Sequence, residues 1–213
     1  MIIKVCGMRD AENIREVEAL GIDWMGFIFW SKSSRYVSKR PTYLPQKCKR
    51  VGVFVDATVD DILQHISDYR LDIVQLHGSE RPEDVRRLRS LCGDSTAIIK
   101  AVNIATKDDL MHTKSYEGVV DYFLFDTKGK SVGGNGEKFD WSVLADYAGN
   151  TPFLLSGGIG PDDAARISQT LTLDGFPDEK CAGIDLNSRF ETAPAIKDIN
   201  KLDAFIKKIR HYE

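Results

Sequence analysis

Residues 1–21, MIIKVCGMRDAENIREVEALG, contain the repeating unit that decides the fold. The apolar run at residues 2–6 is typical of a short buried strand, and Asp10 then precedes a segment with helical periodicity. Three apolar residues of that segment fall on one helix face: Ile14, Val17 and Leu20. Gly21 follows them, as glycine does at many helix C-termini. The order of strand, turn and amphipathic helix predicts one βα unit.

The same unit recurs along the rest of the chain. Seven more apolar runs, rich in Val, Ile and Phe, predict strands at residues 24–29, 51–55, 73–76, 97–102, 122–125, 153–155 and 182–186. Most of these runs are apolar throughout rather than alternating, which is typical of parallel strands covered on both faces. Helical segments are predicted at residues 60–69, 82–91, 141–147, 161–170 and 198–210. Pro82 and Pro161 stand where the first turn of a helix tolerates proline.

Eight strands with interleaved helices predict an α/β fold, a single (β/α)8 TIM barrel of eight parallel strands. The 213 residues give about 27 per unit, fewer than in a typical barrel of about 250 residues, so some crossovers must be short. Residues 41–47, with two prolines, make a poor second helix, and residues 107–116 are weakly periodic. No linker interrupts the pattern, so we expect residues 1–213 to form one domain. An open doubly wound sheet is the alternative.

The composition favours a folded protein that binds neither membranes nor nucleic acid. Apolar residues make up 42% of the chain, yet no run approaches the roughly 20 apolar residues of a membrane span. The 29 basic and 32 acidic residues leave a net charge of −3, which gives no electrostatic reason to bind nucleic acid or an anionic surface. The first residues do not resemble a secretory signal, so a cytoplasmic location is expected.

The four cysteines are scattered without the close pairs typical of a zinc site, so no metal is expected. They are Cys6, Cys48, Cys92 and Cys181. Nothing else in the sequence indicates an oxidising compartment, and we therefore expect free thiols.

Polar residues stand where the predicted strands end, and in a TIM barrel the active site lies at the carboxyl ends of the strands. These residues are Cys6, Arg35, Asp56, Gln75, His77, Asn103, Asp126, Ser156, Asp185 and Asn187. A packed core does not require ionisable groups directly after buried strands. The pattern therefore predicts a functional site at this end of the barrel.

The clearest binding signal is the turn after the seventh strand, LLSGGIGPDD. Gly157 and Gly158 let the backbone approach a ligand closely, and the helix predicted from Pro161 would present its N-terminus to an anion. Asn187 and Ser188 after the eighth strand offer a companion cradle, and phosphate binding by these two loops recurs in this fold. The alternative is that the two glycines only make a sharp turn.

Cys6 and Asp126 end the first and sixth strands and could act as a base and an acid. A thiol near cations ionises below its usual pKa, and Lys4 shares the strand face of Cys6. Apolar surroundings could raise the pKa of Asp126 and keep it protonated, ready to donate a proton. The alternatives are that Cys6 is core packing and that Asp126 caps a helix or forms a turn.

Arg35 lies in the loop after the second strand, where its guanidinium could bind a carboxylate with two hydrogen bonds. The alternative is a solvated surface cation. The glycine-rich and basic segment 128–141 is either a lid or a long surface loop. We assign His77 no proton-transfer role because the sequence shows no carboxylate partner for it. The other three histidines, His65, His112 and His211, are expected at the surface.

Six motifs in one order resemble the phosphoribosylanthranilate isomerase family. They are KVCGM, GFIFWSKSSRY, VGVFVD, VQLHG, FDT followed by GGNGEKFDW, and LLSGGI. Each motif is weak alone, but their order and spacing make the match specific, and it extends from Lys4 to the final helix. The resemblance implies a catalytic (β/α)8 barrel of tryptophan biosynthesis that needs neither a metal nor an organic cofactor. It also implies a small phosphoribosyl substrate and either a monomer or a homodimer.

The family's reaction is an Amadori rearrangement of N-(5-phosphoribosyl)anthranilate to 1-(2-carboxyphenylamino)-1-deoxyribulose 5-phosphate. By resemblance, Asp126 protonates the ring oxygen, Cys6 removes the C2 proton, and Arg35 binds the anthranilate carboxylate. The 5-phosphate would contact four residues: Gly157, Gly158, Asn187 and Ser188.

One departure from the family pattern lies after the eighth strand, where two serines and a glycine are common. This chain reads DLNSRFE, with Asn187 in place of the first serine and Arg189 in place of the glycine, so the detailed phosphate contacts stay open. Two other functions compete with the isomerase. Bifunctional sugar-phosphate isomerases use aspartates on strands one and five, but here those strands end in Cys6 and Asn103. A non-catalytic phosphate-binding barrel would have no need for Cys6 and Asp126.

Overall fold

A computed structural model describes residues 1–127 and 140–211. Eight parallel strands form a closed barrel in chain order, with β1 hydrogen bonded to β8. They are β1 (Ile2–Val5), β2 (Trp24–Ile28), β3 (Lys49–Phe54), β4 (Ile73–Leu76), β5 (Ala97–Ile104), β6 (Tyr122–Thr127), β7 (Phe153–Leu155) and β8 (Cys181–Leu186). The predicted TIM barrel is confirmed. The open sheet is excluded because Lys4 of β1 pairs in register with Asp185 of β8.

Five α-helices cover the barrel: α1 (Ala11–Ala19), α2 (Val59–Tyr69), α3 (Pro82–Cys92), α4 (Ala164–Leu171) and α5 (Ile199–His211). Four 3-10 helices complete the described crossovers: Lys107–Tyr116, Trp141–Asp146, Asp178–Lys180 and Ser188–Phe190. The prediction of short crossovers is confirmed, since residues 29–48 contain no helix and the fifth crossover is a 3-10 helix. A small antiparallel hairpin, β9 (Glu191–Ala193) and β10 (Ile196–Lys197), precedes α5.

Local capping explains where the first helix begins. Asp10 is the N-cap of α1, and its carboxylate accepts hydrogen bonds from the backbone N–H groups of Glu12 and Asn13 at 3.1 and 2.9 Å. Such a cap satisfies N–H groups that have no partner inside the helix. Ile14 and Val17 are completely buried, as the predicted apolar face requires.

The helix start predicted at Pro161 is wrong, because α4 begins at Ala164. The carboxylate of Asp163 accepts a hydrogen bond from the backbone N–H of Gly160 at 2.8 Å. The backbone N–H of Asp163 also donates to the carbonyl of Gly160 at 3.0 Å. These two bonds close residues 160–163 into a turn and delay the helix by three residues.

Two apolar clusters fill the fold. The larger one packs the outer faces of the strands against the helices. The smaller one consists of strand and strand-end residues that face the barrel interior: Cys6, Trp24, Val51, Val53, Ile73, Ile99, Ala101, Leu124 and Leu154. Lys4 of β1 lies on the same strand face as Cys6 and forms a buried ion pair with Asp185 of β8 at 2.7 Å. Within the described residues, no helix has the length and apolar character of a membrane span.

Candidate active site

One cavity of about 360 Å³ opens at the carboxyl ends of the barrel strands. All seven residues that the sequence predicts for the site line it: Cys6, Arg35, Asp126, Gly157, Gly158, Asn187 and Ser188. Ile28, Trp30 and Val53 supply apolar surface, and Gln75, His77 and Asp185 add polar groups. The fold therefore brings together residues that are as far apart as positions 6 and 188.

Backbone hydrogen bonds hold Cys6 at the mouth of the barrel. Its N–H donates to the carbonyl of Leu186 on β8 at 2.8 Å, and the N–H groups of Gly7 and Met8 both donate to the carbonyl of Gly26 on β2. Gly7 has a φ of +80°, and a side chain there would meet Arg35 and Asn187 at less than 3 Å. Only glycine fits this turn, which brings Cys6 and the two ligand-binding loops together.

Burial raises the pKa of the Cys6 thiol, although the nearby ammonium of Lys4 acts in the opposite direction. The thiol is only 3% exposed. The expected depression of its pKa is therefore wrong, because desolvation of the thiolate outweighs the nearby cation. Burial alone would lower the pKa of Lys4 as well, but Asp185 and Cys6 raise it, which favours the charged ammonium.

Asp126 lies at the end of β6 with an imidazole beside it. Its Oδ2 is 3.5 Å from Nε2 of His77, whose Nδ1 is 3.0 Å from the amide nitrogen of Gln75. The assignment of no partner to His77 is thus wrong, since the sequence does not show which strand ends meet. The apolar surroundings expected for Asp126 are not found either. Its side chain is 28% exposed, and Phe123 and Phe125 point to the opposite face of β6.

The sequence nonetheless contains a pattern that indicates His77 as a residue of the site. Gln75 and His77 are two residues apart on or next to β4, so they share the strand face that points into the barrel. Gln75 is 1% exposed, and its buried Oε1 has no hydrogen-bond partner among the described residues. A buried amide and an imidazole at a strand end are typical of a functional site.

Arg35 is held by an acidic residue that the sequence analysis did not identify. Its Nε lies 2.8 Å from Oε1 of Glu191, and its Nη2 lies 2.6 Å from Oε2. Arg35 is therefore not a free surface cation. The sequence does not indicate Glu191 as a partner because it belongs to the β9–β10 hairpin, 156 positions from Arg35.

The two predicted phosphate-binding turns face the same cavity. Gly157 and Gly158 have φ values of +87° and +71°, which favour glycine over any residue with a side chain. Ser188 begins a 3-10 helix after β8. The side chain of Asn187 accepts a hydrogen bond from Nζ of Lys197 at 2.8 Å.

Three further expectations concern the glycine-rich segment, the other histidines and the cysteines. Residues 128–139 of the segment predicted to be either a lid or a surface loop lie outside the described residues. His112 and His211 are exposed, as expected, and His65 is half-buried, with 26% of its side chain exposed. Its ring packs 4.3 Å from the ring of Phe29 and stacks on Tyr69. The four cysteines are free thiols, as expected.

Comparison with known proteins identifies one family. The sequence profile described as N-(5'-phosphoribosyl)anthranilate (PRA) isomerase matches residues 3–208. An N-(5'-phosphoribosyl)anthranilate isomerase of Parabacteroides distasonis is 51% identical over 99% of this chain and 94% of its own. The crystal structure of phosphoribosyl anthranilate isomerase from Thermotoga maritima superposes with a TM-score of 0.82 at 31% identity, covering 99% of this chain and 100% of that one.

A second solved structure carries a ligand. It is a phosphoribosyl anthranilate isomerase in complex with reduced 1-(o-carboxyphenylamino)-1-deoxyribulose 5-phosphate, with a TM-score of 0.77 and 28% identity. It covers 99% of this chain and 100% of its own. The match of profile, relatives and barrel extends over nearly the whole chain. The chain therefore belongs to the N-(5'-phosphoribosyl)anthranilate isomerase family.

Proposed function

We propose that this isomerase of tryptophan biosynthesis converts N-(5'-phosphoribosyl)anthranilate to the 1-deoxyribulose product with Asp126 as general acid and Cys6 as general base. The observation that carries this assignment is that Cys6 and Asp126, from β1 and β6, line the same cavity as the predicted anion-binding residues. The reaction needs a proton at the ring oxygen and the removal of another from C2. The two side chains can supply one transfer each.

In the first step, Asp126 acts as the general acid and transfers a proton to the ring oxygen of the sugar. The bond between this oxygen and C1 breaks, and the nitrogen lone pair of the anthranilate forms a C=N double bond to C1. His77, 3.5 Å from the carboxyl, orients Asp126 toward the cavity. The product of this step is an open-chain iminium ion.

In the second step, the thiolate of Cys6 removes the proton from C2. The electron pair of the C2–H bond moves to the iminium, which gives a neutral enolamine. Tautomerisation then moves a proton to C1 and leaves a ketone at C2. The ammonium of Lys4, on the same strand face, lowers the pKa of Cys6 and so stabilises the thiolate that this step requires.

The two charged ends of the substrate fit two ends of the cavity. Arg35 is the partner for the anthranilate carboxylate. The 5-phosphate contacts the turn at Gly157 and Gly158 together with Asn187 and Ser188. Binding at both ends fixes the sugar between Cys6 and Asp126, which lowers the entropy cost of reaching the transition state.

A fluorescence assay tests this assignment. Consumption of the fluorescent anthranilate substrate should be fast in the wild type. It should slow by about 10²–10⁴ in kcat in Cys6→Ser and in Asp126→Asn, because each variant lacks one proton-transfer group. Circular dichroism should show an unchanged fold in both variants, and Cys92→Ser, far from the cavity, is the control. Near-normal kcat in either catalytic variant would remove that residue from the mechanism.

We further propose that residues 1–213 act as one catalytic barrel on this small-molecule substrate, as a monomer or a homodimer. One relative is described as a dimeric phosphoribosylanthranilate isomerase of Thermotoga maritima. A phosphorylated substrate does not cross membranes unaided, which supports the proposal of a cytoplasmic location. Light scattering coupled to size-exclusion chromatography distinguishes the monomer from the dimer.

A further inference from the structure

Two buried charged residues lie behind the cavity and are not used by the mechanism above. Glu191 begins β9 and Lys197 ends β10, and their side chains are 6% and 0% exposed. Nζ of Lys197 is 2.6 Å from Oε1 of Glu191. Burying an ion pair is costly, so these two residues call for an explanation.

Glu191 occupies only one edge of the Arg35 guanidinium. Its carboxylate accepts hydrogen bonds from Nε and Nη2, while Nη1 makes no contact with it. A guanidinium has five N–H donors in a rigid plane, so the edge formed by Nη1 and Nη2 stays available for a second carboxylate. Because Arg35 lines the cavity, Glu191 fixes the guanidinium in an orientation that can present this edge to a ligand.

Lys197 extends the same arrangement to the phosphate end. Its Nζ donates to Oδ1 of Asn187 at 2.8 Å as well as to Glu191. An amide whose oxygen faces an ammonium turns its NH2 group away from it, and Asn187 lines the cavity. Asn187 stands where the family commonly has serine, and the bond to Lys197 fixes which end of the amide the ligand meets.

The charges of this group also suit anion binding. Arg35 and protonated Lys197 carry one positive charge each and Glu191 one negative charge, which leaves a net charge of +1, although burial lowers the pKa of Lys197. Burial alone would raise the pKa of Glu191, but the hydrogen bonds from Arg35 and the charge of Lys197 lower it, so the carboxylate stays ionised. The ion pair therefore orients Arg35 without cancelling the positive charge of the cluster.

We propose that Glu191 and Lys197 are positioning residues that set the two anion-binding ends of the active site. Glu191 orients Arg35 toward a carboxylate, and Lys197 orients Asn187 toward a phosphate. Through their mutual bond, the β9–β10 hairpin holds both ends at a fixed separation, which favours a ligand that carries both groups. This inference rests on the proposed function, in which Arg35 and Asn187 contact the substrate.

The variant Glu191→Gln separates positioning from simple charge. Removing a negative charge beside Arg35 should strengthen anion binding if only long-range electrostatics matters. If Glu191 positions Arg35, anthranilate should bind about tenfold more weakly, because the guanidinium loses its charge-assisted anchor. Isothermal titration calorimetry with anthranilate and, separately, with inorganic phosphate measures the affinity of the protein for each of the two anions. Anthranilate affinity that is unchanged or higher in Glu191→Gln overturns the proposal.

Two more variants test whether the loss of a charge alone explains weaker anthranilate binding. Glu191→Asp keeps the charge but shortens the side chain, so it should also weaken anthranilate binding; unchanged affinity contradicts the positioning role. Glu12→Gln removes an exposed charge from the first turn of α1 and should leave both affinities unchanged. In steady-state kinetics, Glu191→Gln should raise KM while kcat stays within a few-fold of the wild type.

The role of Lys197 is tested by a double-mutant cycle. Lys197→Met should weaken phosphate binding by about tenfold in the wild type but much less in an Asn187→Ala background, because the oriented amide is then absent. Equal effects in both backgrounds would leave long-range charge as the cause and overturn the positioning role of Lys197.

The variant Arg35→Ala separates a failure of the proposed function from a failure of the positioning inference. If it leaves anthranilate affinity unchanged, the proposed function fails, whereas a loss there without a loss in Glu191→Gln overturns only the positioning inference.

Discussion

Cys6 lies one residue beyond β1, where burial and the ammonium of Lys4 act on its thiol in opposite directions. Burial prevails and raises the pKa, so the resting site favours a neutral thiol. Lys4 is itself held by Asp185 at 2.7 Å and cannot move away from the sulfur without leaving a buried carboxylate unpaired. The proposed base is therefore set by the side chains of Cys6, Lys4 and Asp185, from two neighbouring strands.

A pH profile tests this account at the residue scale. If the thiolate is the base, kcat/KM should rise by about tenfold per pH unit until the pH reaches the raised pKa of Cys6. Lys4 lowers that pKa, so Lys4→Met should move the rise to higher pH. Lys201→Met, at an exposed site on α5, is the control, and thermal unfolding checks that the barrel persists. A rise at the same pH in Lys4→Met would contradict the role of this ammonium.

At the scale of elements, the strands position the site through close backbone approaches. Gly26 of β2 has no side chain where the thiol of Cys6 lies, and its carbonyl accepts the hydrogen bonds that shape the turn after β1. The β9–β10 hairpin contacts the site differently, through side-chain hydrogen bonds of Glu191 with Arg35 and of Lys197 with Asn187. The proposed catalytic groups are thus placed by strands and turns rather than by the helices that surround them.

Gly26→Ala should disturb the base directly. A methyl group at this position would lie 2.7 Å from the sulfur of Cys6 and 3.1 Å from its Cα. The side chain of Cys6 must then shift, and a displacement of about 1 Å in a reacting group can cost about 100-fold in kcat. Gly160→Ala is the matched control, since its methyl group would meet no atom closer than 3.5 Å. Steady-state kinetics with thermal unfolding separates lost geometry from lost stability, and equal kcat in the two variants would contradict the argument.

At the scale of the whole molecule, folding also half-buries two thiols that have no part in the proposed chemistry, those of Cys48 and Cys181. Burial raises the pKa of both Cys48 and Cys181 from 9.0 to about 12. Burial and Glu117 raise the pKa of Tyr147 as well. A group with a raised pKa in the folded state stabilises the fold below its unfolded pKa, and this contribution is lost as the pH rises.

The barrel should therefore lose stability in alkaline solution. The free energy of unfolding should fall as the pH rises from 9.0 toward about 12, because unfolded thiols release protons that the folded ones keep. Urea unfolding between about pH 8 and pH 10 measures this slope. The double variant Cys48→Ala and Cys181→Ala should show a shallower slope than the wild type. Parallel slopes would show that these thiols do not cause the loss.

Local periodicity in the sequence was enough to predict the eight strands, the weak second and fifth crossovers and all seven cavity residues named for the site. That success has a physical basis. A strand buried on both faces must be apolar, so a polar residue directly after it marks the strand end. In a parallel barrel, those ends meet on one face. The predicted helix start at Pro161 is wrong because the carboxylate of Asp163 closes a turn at residues 160–163, where the helix was expected to begin.

The sequence by itself determined the order of the elements, the faces they bury and the residues that reach the mouth of the barrel. The tertiary structure decided that β1 pairs with β8, that His77 meets Asp126, and that Glu191 holds Arg35. It also decided that burial raises the pKa of Cys6. These features depend on groups distant in sequence and on the exclusion of water around them, whereas periodicity reports only on neighbours along the chain.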